Sequence, residues 1–318
     1  MNKMMLSALA VAALSGCVCA KKTCCTDPVM GNWGLKLGYA SMNAGHMIMS
    51  RDADGQPQAT VLWRWASPIP MKDVVVDGRD FSFTHPWGFT VKGTVTAGTL
   101  KAVAIKKNGL GETSVTGWKN PEIEPASTKD AVLGEPIDLL KDGLDGWKSM
   151  DEKAKFGWSF KDGVLSNSLG LTPDGKWAGG GANLMSKRAD FYDFNLEYDV
   201  RVPKKSNSGV YLRGRFECQV VDSFQEPVNC HNMAAYYGRV TPVCAAEKAP
   251  GEWQHVSVTL YKRHMTVVLN GTTIIENAEI TGVTGGAIDA DIDAAGPIYL
   301  QGDHSDADFR NMILRPAL

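Results

Sequence analysis

Almost the whole chain reads as short alternating apolar and polar runs, separated by turn pairs, with few amphipathic helical stretches. The clearest case is Asn270-Gly271, which separates Thr266-Val267-Val268-Leu269 from Thr272-Thr273-Ile274-Ile275. Both central residues of a two-residue hairpin turn need positive φ, and Asn-Gly meets that need best. Asp77-Gly78, Ala97-Gly98 and Asn108-Gly109 repeat the signal upstream, and 33 glycines supply the tight turns it requires. An all-β chain is expected. Its length of 318 residues is enough for two domains.

Residues 1–16 read as a lipoprotein signal peptide. Lys3 is followed by a short apolar run, Met4 to Leu14, which ends in Leu14-Ser15-Gly16-Cys17. That tetrapeptide resembles a bacterial lipobox, which implies acylation of Cys17 and a membrane held through the lipid. The expected location is the cell envelope, with the soluble domains outside the cytoplasm. No later segment is long and apolar enough to cross a bilayer. Residues 17–29 read as a tether carrying Cys19, Cys24 and Cys25. In an oxidising compartment Cys230 and Cys244 could pair and staple the loop between them. Cys218 reads as a small buried hydrophobe.

Residues 30–118 read as a small antiparallel β-domain, either barrel or sandwich. Ala59, Val61, Trp63 and Trp65 alternate imperfectly with Gln58, Thr60, Leu62 and Arg64. The segment gathers no acid, base and nucleophile, so a structural or substrate-gripping role is expected. Pro121, Pro125 and Pro136 mark a linker over 119–136. Residues 137–318 again read as short strands, with the spacing of a two-sheet jelly roll.

Candidate chemistry concentrates in two stretches of this second domain. From Asn207 to Ser223, period two puts Val210, Leu212, Phe216, Cys218 and Val220 on one side. Tyr211, Arg213, Glu217 and Gln219 form a polar row on the other, with Asp222 beyond it. Such a row suits a sugar, offering donors, acceptors and an aromatic edge. A solvated face carrying an Arg213–Glu217 pair would read the same way. The second stretch, Ile298 to Ser305, carries Gln301 and ends at Asp303-His304, where the histidine could serve as base, acid or metal ligand. Asp289, Asp291 and Asp293 lack the glycine and distal glutamate of a calcium loop. A net charge of −2 makes no case for nucleic acid.

The second domain resembles the 3-keto-disaccharide hydrolase domain family. The matching pieces include Asp145-Gly146-Trp147, Trp158-Ser159-Phe160-Lys161-Asp162-Gly163, Asn207-Ser208-Gly209-Val210 and Glu217-Cys218-Gln219-Val220-Val221-Asp222. Gly251-Glu252-Trp253-Gln254, Leu269-Asn270-Gly271 and Phe309-Arg310-Asn311 continue the series in order. The segment from Asp303 to Asp308 is more acidic than the pattern. The resemblance implies a concanavalin-like jelly roll and cleavage of glycosides oxidised at C3, by hydrolysis or elimination. A C3 ketone acidifies the C2 proton, so one base and an electrophile near the C3 oxygen suffice. The catalytic expectation falls on His304 or Glu217 as base, with His304 preferred for its near-neutral pKa, and on Arg213 as anion holder. Tyr211, Gln219, Asp222 and Gln301 would bind the carbohydrate substrate. A divalent metal ion is one candidate electrophile. A non-catalytic, lectin-like envelope lipoprotein is the alternative reading, because the same sheet also builds lectins.

Overall fold

The computed structural model describes residues 27–107, 109 and 111–318. Cys17, Cys19, Cys24, Cys25, the signal peptide and Asn108 lie outside the described residues.

The first nine strands are β1 (Gly31–Leu37), β2 (Ala44–Arg51), β3 (Pro57–Trp63), β4 (Ile69–Pro70), β5 (Lys72–Asp77), β6 (Asp80–His85), β7 (Phe89–Thr96), β8 (Thr99–Lys106) and β9 (Glu112–Lys119). They form one antiparallel sheet in the order β4-β3-β2-β1-β9-β8-β7-β6-β5. Strands β4 and β5 occupy opposite edges, yet only Met71 separates them in the chain. The sheet must therefore curl until its edges meet, and a barrel-like core results. Trp33, Leu35, Met47, Val61, Phe83 and Val91 fill it.

The imperfect alternation in β3 has a physical cause. Ala59, Val61 and Trp63 point into this first core, but Leu62 is equally buried in the core of the second domain. Trp65 does not continue the inward row. Arg64 and Ala66 take positive φ (71° and 63°), which ends the strand and turns Trp65 outward.

The second domain is a two-sheet antiparallel jelly roll. Its strands are β10 (Ile137–Asp138), β11 (Trp147–Ser149), β12 (Trp158–Lys161), β13 (Val164–Asn167), β14 (Leu184–Ser186), β15 (Phe194–Arg201) and β16 (Asn207–Leu212). β17 (Phe216–Val221), β18 (Gln254–Tyr261), β19 (His264–Leu269), β20 (Thr272–Glu279), β21 (Tyr299–Leu300) and β22 (Ala307–Pro316) follow. One sheet runs β12-β13-β22-β15-β18-β19-β20, with β10 also on β22; the other runs β11-β14-β21-β16-β17. Alternation along β15 sends Phe194, Leu196, Tyr198 and Val200 into the core, where each large apolar side chain contributes about 1.5–3 kcal/mol. Asn270 and Gly271 both take positive φ (50° and 83°) and close the β19–β20 hairpin.

The cysteine expectation needs correction. Cys230 and Cys244 are free thiols, and the Cys230 sulfur lies 3.7 Å from His231 Nδ1. Cys218 is buried in β17, where its sulfur accepts from the Tyr198 hydroxyl at 3.4 Å.

The two domains are in direct contact. Asn32 Nδ2 donates to Thr281 O at 2.5 Å, and Asn32 Oδ1 pairs with the buried His46 Nε2 at 2.7 Å. The Gly286 amide donates to Arg64 O at 2.9 Å, and Ser67 Oγ lies 2.7 Å from His231 Nε2.

Candidate active site

The outer face of the five-stranded sheet is not solvated. Every residue of β16 after Asn207 is buried, and so is β17 up to Val221. The first domain and the connections between the strands cover this face and leave a pocket of about 310 Å³. Cross-strand register assembles its floor. Tyr211 pairs with Glu217, Gly209 with Gln219, and Tyr211 with Tyr299 of β21. Period two then adds Asn207 and Gln301 to the same face. Asp303 and His304 follow at the strand-to-loop junction, while Met42, Trp65 and Ala66 come from the first domain.

Two glycines make this geometry possible. A Cβ on Gly209 would stand 2.5 Å from Glu217 Oε1, so the carboxyl lies directly over that position. A Cβ on Gly285 would stand 2.6 Å from the backbone nitrogen and oxygen of Ala66. The first domain can close over the site only because residue 285 has no side chain.

Tyr211 and Tyr299 stack with ring centroids 4.2 Å apart, and the Tyr211 hydroxyl donates to Gly285 O at 2.8 Å. Glu217 is only 3% exposed. Burial pushes its carboxyl up to about 8; the neighbouring Tyr211 hydroxyl holds it back, and the Asp303 charge adds to the rise. Glu217 is therefore largely protonated at neutral pH. His304 differs. Its Nδ1 lies 2.6 Å from Asp303 Oδ1, and this hydrogen bond raises the imidazole above its ordinary value against the opposing effect of burial. With Nδ1–H directed at the carboxylate, the neutral ring presents Nε2 as its free acceptor.

Among the described residues, Asn207 Oδ1 and Gln301 Oε1 are buried without a hydrogen-bond partner. Both residues line the pocket, and unsatisfied buried acceptors there match a ligand rich in hydroxyl donors. Among the described residues no group of three or more His, Cys, Asp or Glu side chains converges as a metal site. Asp289 is engaged by Arg215 at 2.6 Å.

Tyr211, Glu217, Gln219, Gln301 and His304 thus share one pocket. Arg213 and Asp222 do not line it. The alternation that placed Arg213 beside Tyr211 ends at Leu212, because Arg213 and Gly214 take positive φ (53° and 67°). The Arg213 guanidinium is buried elsewhere, donating to Ile292 O and packing 4.8 Å from the Tyr192 ring centroid. Asp222 lies beyond β17 and accepts from the Lys205 amide at 2.8 Å. Asn207, Tyr299 and Trp65 also line the pocket, beyond the residues expected from the sequence. Asn207 lies four residues before Tyr211, and Tyr299 two before Gln301, on the same alternating rows; Trp65 gave no such signal.

Residues 136–315 match the family described as the 3-keto-alpha-glucoside-1,2-lyase-like domain, and the chain belongs to that family. Its function is accordingly carbohydrate-related. Among solved structures, one Parabacteroides distasonis protein provisionally named a glycosyl hydrolase is 21% identical, with a TM-score of 0.44, over 57% of this chain and 100% of that one. A second from the same organism, provisionally named likewise, is 24% identical with a TM-score of 0.43, over 62% and 93%. The carbohydrate-binding module CBM66 of Bacillus subtilis is 13% identical with a TM-score of 0.33, over 52% and 93%. Comparison with functionally curated proteins gives no match.

Proposed function

We propose that the chain cleaves 3-keto-glycosides by removing the C2 proton. The observation that carries this reading is one pocket holding both a proton donor and a proton acceptor: the buried Glu217 carboxyl, which keeps its proton at neutral pH, and the Asp303-held His304 imidazole, whose Nε2 is free. A carboxyl that holds its proton beside an imidazole with a free acceptor nitrogen supplies the acid and the base that such a reaction needs near neutral pH.

His304 Nε2 takes the C2 proton, and the electron pair moves onto the C3 oxygen as an enediolate. Collapse of the enediolate restores the ketone, forms the C1–C2 double bond and breaks the bond from C1 to the glycosidic oxygen. Glu217 gives that oxygen its proton. In the hydrolytic branch water adds to C1 and returns a proton to Glu217, while His304 returns its proton to C2. Asn207, Gln219 and Gln301 hold hydroxyls, and the Tyr211–Tyr299 stack and Trp65 enclose the ring. Arg213 has no part in this scheme, since its side chain lies outside the pocket. We further propose that the chain works in the cell envelope, held by a lipid on Cys17.

The test compares methyl 3-keto-α-glucoside with its unoxidised parent. Release of methanol from the keto sugar alone is expected. Comparable release from both would point to ordinary glycosidase chemistry, and tight binding without release from either would point to a lectin.

A further inference from the structure

The first domain carries an open groove beside the pocket, outside the family-matched residues. Its volume is about 610 Å³, and its walls include Tyr39, Trp63, Trp65, Trp87 and Phe89. Trp65 lines both the groove and the pocket, so the two adjoin at this side chain. Trp65 is 46% exposed and Trp87 52% exposed. Their placement is fixed rather than incidental. The Arg64 guanidinium lies 4.0 Å from the Tyr39 centroid and 4.1 Å from that of Trp65, and it donates to Met42 O at 2.9 Å. Trp63 packs on Phe89 at 4.8 Å beneath them.

Charge gives the second, independent observation. An adjoining groove of about 520 Å³ shares Gly88, Lys106 and Lys107 with the first and adds Lys72 and Lys92. Among the described residues the two are lined by the cations Arg64, Lys72, Lys92, Lys106 and Lys107, and by no carboxylate. Among the described residues none of these five cations joins a side-chain ion pair. The chain as a whole carries −2, so this face is a local concentration of positive charge.

We propose that this face binds an acidic saccharide, the continuation of the substrate beyond the sugar held in the pocket. Sugar rings would stack on Trp65 and Trp87, and carboxylate or sulfate groups would meet the lysines. The inference rests on the proposed function for the identity of the pocket's occupant. Single-stranded nucleic acid also suits aromatic, basic grooves, but the adjoining pocket offers buried acceptors for hydroxyls rather than a slot for bases.

The test is calorimetric titration of the whole chain with four probes: an alginate hexasaccharide, an iota-carrageenan hexasaccharide, laminarihexaose and a ten-nucleotide oligothymidylate. At least one acidic saccharide should bind about tenfold or more tightly than both the neutral sugar and the oligonucleotide, weakening as salt rises. The arm that binds tells carboxylate from sulfate. Trp87→Ala and the double change Lys106→Ala/Lys107→Ala alter exposed side chains, and unchanged thermal melts will verify folding. Each should weaken that binding about tenfold. Equal binding of acidic and neutral sugars, equal binding of the oligonucleotide, or variants that bind like wild type would overturn the proposal. Cleavage of a 3-keto-glucoside without any acidic preference would refute this inference alone. Acidic-saccharide binding without such cleavage would refute the reaction alone.

Discussion

The amide of Gly286 donates to the carbonyl of Arg64 at 2.9 Å, joining the second domain to the first at the mouth of the pocket. One residue earlier, Gly285 packs against the Ala66 backbone. The candidate site is therefore built by two domains, although the acid–base groups all come from one.

Gly285→Ala tests that dependence. Its Cβ would meet backbone atoms at 2.6 Å, which cannot move as a flexible side chain can. A cost of about 1–3 kcal/mol is expected. Thermal melts should show the loss, and proteolysis of the 119–136 linker should quicken. A variant with the stability and proteolytic resistance of wild type would separate the first domain from the site.

Glu217 makes stability depend on pH in a definite direction. Its folded pKa of about 8 lies above the ordinary carboxylate value. Between those values the folded state binds more protons than the unfolded state, so stability falls as pH rises. Glu217→Gln removes the titration and keeps the shape. The variant should gain stability over wild type by a few kcal/mol, on the order of magnitude such a shift implies, at pH 9 and little at pH 4. Parallel melts check this; identical pH profiles would show that Glu217 titrates normally.

The pH profile of turnover follows from the same two groups. His304 must be neutral, so the rate rises with pH through a pKa above the ordinary histidine value. Glu217 must be protonated, so the rate falls through about 8. Asp303→Asn should move the acidic limb to lower pH, because the hydrogen bond that raises the imidazole is weakened. An acidic limb that stays in place would remove the Asp303–His304 pair from the mechanism.

Anchoring has its own test. Cys17→Ser should release the chain from the membrane fraction or block its maturation. A mature wild-type protein that is soluble and starts at another residue would contradict the lipid assignment.

Local signals were legible in the sequence and long-range ones were not. The β19–β20 hairpin was readable because Asn270-Gly271 encodes its turn within two residues. Tyr211, Glu217 and Gln219 were readable as one face because alternation holds through β16 and β17. Arg213 and Trp65 misled for a shared reason: each follows or occupies a left-handed position that ends the alternation, and neither Arg64 nor Arg213 signals positive φ by its residue type. The burial of the polar row depends on a domain more than a hundred residues upstream, which no local pattern around Glu217 encodes.

In the proposed reaction His304 takes a proton from C2 of a 3-keto sugar. The most direct measurement follows the C2 proton of methyl 3-keto-α-glucoside by NMR in deuterated water, with wild type and His304→Ala side by side. Wild type should exchange that proton at least as fast as it cleaves the sugar, and the variant should do both on the order of a hundredfold more slowly. Exchange and cleavage by His304→Ala at wild-type rates would contradict the account.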